Sequence, residues 1–83
     1  MDTITKQQKV LRSRIAQLAD QLFGFELDVA TARAQLEALD ELPDGVEAKE
    51  DERSAYEENL RVAQINVAGA TRVKASLEEM LKP

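Results

Sequence analysis

Residues 36–48, LEALDELPDGVEA, decide how this chain folds. The first four continue a helical repeat, and Leu42-Pro43-Asp44-Gly45 then stops it. Proline disfavours helix at the residue before it, and Asp-Gly turns readily. Next comes Val46-Glu47-Ala48-Lys49-Glu50-Asp51-Glu52-Arg53, rich in acids and poor in apolar residues. Carboxylates are stabilised at the positive end of a starting helix. Helix, turn, helix is the order this stretch predicts.

On the N-terminal side, Ile4, Leu11, Leu18, Phe25, Ala32 and Leu39 recur every seven residues. Ile15, Leu22, Val29 and Leu36 fill the alternate position, interrupted only by Gln8. Spacings that alternate four and three are the seam of two packed helices. A helix of about 38 residues follows, roughly 57 Å at ~1.5 Å per residue. Thr5 with Gln8, or Thr3 alone, offers a start cap. Gly24 is the weak point, about 1 kcal/mol worse than Ala within a helix, and marks a bend or a close contact.

On the C-terminal side the same repeat is less clean. Arg53, Leu60, Val67, Lys74 and Leu81 hold one seam position, and Tyr56, Ala63, Ala70 and Leu77 the other. The stems of Arg53 and Lys74 can pack there while their charges reach water. Ser54 with Glu57 forms a second capping box, so helix two is expected to start between about 46 and 54. The expected fold is all-α, an antiparallel coiled-coil-like two-helix hairpin in one domain over residues 1–83. Its parts are helix one over about 3–42, a turn over about 43–48 and helix two over about 48–82.

Facing residues whose numbers sum to 92 test this register by size. They set Leu22 against Ala70, Phe25 against Val67, Val29 against Ala63, Ala32 against Leu60 and Leu36 against Tyr56. Large meets small at nearly every layer, as close packing requires.

Composition removes most functional classes. The 83 residues hold no Cys, no His and no Trp, with 16 Asp and Glu against 11 Lys and Arg, a formal charge of −5. A disulfide framework, a Cys/His zinc site and His-dependent catalysis are therefore excluded. Ser13, Ser54 and Ser76 have no His base, and the pairs Glu37/Glu41 and Glu47/Asp51 lack the His of a bundle metal site. Asp44-Gly45 has the character of a turn, not of a calcium loop. No enzyme, cofactor, metal or small-molecule substrate is expected. Apolar runs reach only two or three residues, and residues 1–22 show no signal-peptide pattern, so a soluble cytoplasmic protein is expected.

A lone hairpin of this size buries little, and chains without disulfides or metal usually associate. Apolar residues outside the seam offer the means. Phe23, Leu27, Ala30 and Ala34, with Ala16, form an outward stripe on helix one. Val62, Ile65, Gly69 and Val73, with Met80, form one on helix two, leaning to the opposite side. A homodimer that builds a four-helix bundle is the expected partner state.

Charge is segregated along the rod. Residues 1–19 carry net +3, residues 20–58 net −10 and residues 59–83 net +2. Folding makes the terminal end basic and the turn end an acidic tip of Asp44, Glu47, Glu50, Asp51 and Glu52. The expected function is a non-enzymatic protein–protein interaction module that self-associates and binds a protein partner, as an assembly factor, adaptor or chaperone does. One alternative is a small acidic inhibitor, for example phage-encoded, that blocks a basic or nucleic-acid-binding surface with its tip. Another is a weak nucleic-acid binder using Lys6, Lys9, Arg12, Arg14, Arg72 and Lys74. No aromatic platform or glycine-rich loop accompanies those bases, so nucleic acid is not the expected partner.

Overall fold

A computed structural model describes residues 2–82, with side chains from residue 5 onward. It is a rod of 68 × 15 × 14 Å made of two helices, α1 (Asp2–Asp40) and α2 (Lys49–Leu81). Among the described residues there is no strand. The helices pack side by side along their length as an antiparallel hairpin. Ile4 of the seam and the Thr3 cap lie outside the described side chains.

Burial follows the heptad repeat. From Leu11 to Leu39 every seam residue of α1 is buried or half-buried, and so is every seam residue of α2 from Arg53 to Leu81. Gln8, the one polar interruption in α1, is exposed. The deepest apolar positions are Ala32 at 2% exposure, Leu39, Ala63 and Ala70. Three of these four are alanines, and small side chains at the contact let two backbones run close together. Register follows from contacts across the seam. Arg53 pairs with Asp40, and one lateral groove joins Asp28, Thr31 and Gln35 to Asn59, Val62 and Asn66. Those partners have numbers summing to within one or two of 92, as size matching predicts.

Helix ends depart from the sequence expectation. α1 stops at Asp40 instead of Leu42. The Glu41 N–H still donates to the Glu37 carbonyl, but the Leu42 N–H donates to Leu39, only three residues back, at 3.1 Å. The last turn tightens before Pro43, where proline would clash with a continuing helix. Gly45 then takes a left-handed φ of 89° and Ala48 one of 65°. That second reversal, with no side-chain cap, starts α2 at Lys49, so the Ser54–Glu57 capping box falls inside the helix and goes unused. Thr5 and Gln8 lie inside α1, which begins at Asp2, so they do not cap its start.

Gly24 is neither a bend nor a close contact. α1 continues through it, and a Cβ there would meet nothing within 4 Å. A kink of 20° at mid-rod would throw an end sideways by roughly 10 Å, which a cross-section of 15 × 14 Å does not accommodate.

Candidate interaction surface

The turn end is built around one lysine. Lys49 is 9% exposed, and its ammonium donates to the Leu42 carbonyl at 3.0 Å and pairs with Asp44 at 3.5 Å. It thereby satisfies a carbonyl in the turn just past the C-terminal end of α1, where a cation is favoured by the helix dipole. One layer further in, Arg53 donates to the Asp40 carboxylate, which raises the guanidinium pKa above its ordinary value through that hydrogen bond and the charge of Asp40. Glu50, Asp51 and Glu52 occupy the first turn of α2 and are exposed, as is Glu47. Of the acidic tip, then, Asp44 is engaged with Lys49, and three acids serve the start of α2.

The outward stripe of α1 is open to solvent. Phe23 is 63% exposed and Leu27 51%, with Ala16, Ala30 and Ala34 exposed on the same face. Phe23 and Leu27 stand near the middle of the rod, since α1 runs from Asp2 and the turn centres near residue 45. Within α2 and at its end, three local ion pairs form between side chains three or four residues apart. Arg61 donates to Glu58 at 2.9 Å through Nε, Lys82 pairs with Glu79 at 3.0 Å, and Lys74 pairs with Glu78 at 3.3 Å. The Arg61 hydrogen bond holds the Glu58 carboxyl below the ordinary carboxylate range and raises the Arg61 pKa. Among the described residues of α1, only Asp40 forms such a pair, and it faces Arg53 across the seam.

The structure separates the two stripes. Val62 lines the groove with Asp28, Thr31 and Gln35, whereas Ala30 lines one on the opposite side with Glu26, Arg33 and Gln64. Val73 belongs to a third groove, at the terminal end, walled by Val10, Leu11, Leu18 and Leu77 with Arg14 beside them. Ile65, 55% exposed, lies on the outer face of α2 one turn from Val62, which is 43% exposed. Gly69 is open as well, with nothing within 4 Å of its missing Cβ. The eight apolar candidates therefore form no single patch. Phe23, Leu27, Ala30 and Ala34 share one face of α1, whereas Val62 and Val73 line grooves on another side and Ile65 and Gly69 adjoin Val62 on α2.

Sequence reasoning missed Val10 and Lys49. Val10 is 63% exposed and lines the terminal groove together with Val73, a placement that the heptad count alone could have suggested, since Val10 lies beside the seam residue Leu11. The burial of Lys49 depends on the left-handed turn at Ala48 and carried no sequence signal. Among the described residues, no group of three or more His, Cys, Asp or Glu is placed to hold a metal ion. Nor is any described helix long and apolar enough to cross a membrane. Comparison with known proteins finds no matching family model, no matching curated protein and no matching solved structure.

Proposed function

We propose that this hairpin is a non-enzymatic protein–protein interaction module that self-associates through the outer face of α1, giving a four-helix homodimer. Its remaining surfaces are then free for a protein partner, in the manner of an assembly factor or adaptor. The observation that carries this reading is the exposure of Phe23 and Leu27 at mid-rod. Burying a large apolar side chain is worth about 1.5–3 kcal/mol, and this rod leaves two such side chains in water on one face.

The core points the same way. Its deepest layers are mainly alanine, while ordering the backbone costs about 1–2 kcal/mol per residue. A second interface adds burial where the first is thin. Four of the five acids at the tip have local roles, Asp44 beside Lys49 and Glu50, Asp51 and Glu52 in the first turn of α2.

Replacing Phe23 and Leu27 together by Gln tests the proposal by sedimentation velocity. The parent should sediment as a dimer and the double variant as a helical monomer. Association unchanged in the double variant would sink the assignment of this face.

A further inference from the structure

The outer face of α1 carries a second heptad stripe, all of it exposed, and its chemistry changes in order along the helix. It opens with Lys6 and Lys9, passes through Ala16, Phe23, Leu27 and Ala34, and ends with Glu37 and, one residue past α1, Glu41, whose N–H still bonds the Glu37 carbonyl. The spacing alternates three and four as in the inner seam, so the stripe lies straight along a packed helix. None of these four charged residues has an ion-pair partner in the chain among the described residues.

Resting on the self-association proposed above, we infer that the occupant of this face is a second copy laid antiparallel, with the two-fold axis passing at the level of Phe25. Around that axis, facing residues have numbers that sum to 50. Phe23 meets the second copy's Leu27, and by symmetry Leu27 meets its Phe23. Ala16 meets Ala34, Ser13 meets Glu37 and Lys9 meets Glu41. Two large pairs occupy the centre, small pairs flank them, and opposite charges close both ends. Asp20 alone interrupts the apolar middle; it faces Ala30, whose small side chain leaves the carboxylate a path to water.

A parallel arrangement fails on sign. It would place Lys6 and Lys9 beside their own copies and crowd Glu37 and Glu41 against theirs, and like charges held together across an interface are unfavourable. The whole rod repeats this logic, since the antiparallel pairing sets the +3 of residues 1–19 against the acidic half of the other copy. Area is adequate. A strip the length of α1 and one helix diameter wide covers on the order of 600 Å² per partner, near the ~800 Å² of a standard interface. With α1 against α1, the two α2 helices lie outermost, and the four helices form a flat layer.

The chain has no cysteine, so the variant Glu47→Cys gives one spin label per copy, at the turn. Two labels in the antiparallel dimer should lie about 60 Å apart, against less than about 30 Å in a parallel one. Lys9→Glu and Glu41→Lys should each weaken the dimer roughly tenfold at low salt, and the double exchange should restore it. A dimer with the short distance, or charge reversals without rescue, would overturn the antiparallel geometry while leaving self-association standing. Light scattering that finds only monomer would overturn both.

Discussion

Lys49 illustrates how a single residue can define one end of this molecule. The chain reverses through left-handed conformations at Gly45 and Ala48, and the buried ammonium of Lys49 ties the reversal to the Leu42 carbonyl, two residues past α1. Lys49→Met keeps the stem but leaves the Leu42 carbonyl without its donor. Removing a hydrogen bond from a charged group costs about 1.5–3 kcal/mol, so the urea midpoint should fall clearly. An unchanged midpoint would show that the turn holds without it. Glu58 offers a test in pH. Its carboxyl is held low by Arg61, so its contribution is complete above the ordinary carboxylate range and is lost as pH falls through the lowered value. The difference in thermal midpoint between the parent and Glu58→Gln should thus be present at neutral pH, close in acid and shrink in salt, because the pair is exposed. A difference that grew in acid would contradict the assignment.

At the scale of the elements, the seam of α1 and α2 was legible almost residue by residue. The alternating spacing named Leu39, Ala63 and Ala70 as seam positions, and all three are buried. Periodicity succeeds here because burial in a two-helix rod depends on the angle around each helix and little else. It fails at the ends, where hydrogen bonding in the turn decides, and the Ser54–Glu57 motif was overruled by a start five residues earlier at Lys49. The outward stripes were legible as sequence, but their arrangement was not, because sides of the hairpin emerge only when both helices are placed. Leu39 is the one large side chain among the deepest positions, at 4% exposure. Leu39→Ala should cost about 2–4 kcal/mol in denaturant unfolding, while Leu42→Ala, at a position in the exposed turn, should cost less than about 0.5 kcal/mol. Equal losses would mean that the seam does not run to this end of the rod.

The whole molecule is long, thin and unevenly charged, 68 Å from end to end with a cross-section of two helices. A rod of this shape buries one stripe of each helix and leaves the other faces wet, so its stability rests on a narrow seam in which alanine recurs. Such a chain gains from a second copy more than a globular chain of equal length does. Folding and association should then be linked, with a melting temperature that rises with protein concentration. The most direct test of self-association is solution mass by light scattering across a concentration series, with helicity followed by circular dichroism. Self-association predicts a helical particle of twice 9.2 kDa that persists on dilution into the low micromolar range. A fully helical monomer at every concentration would contradict it.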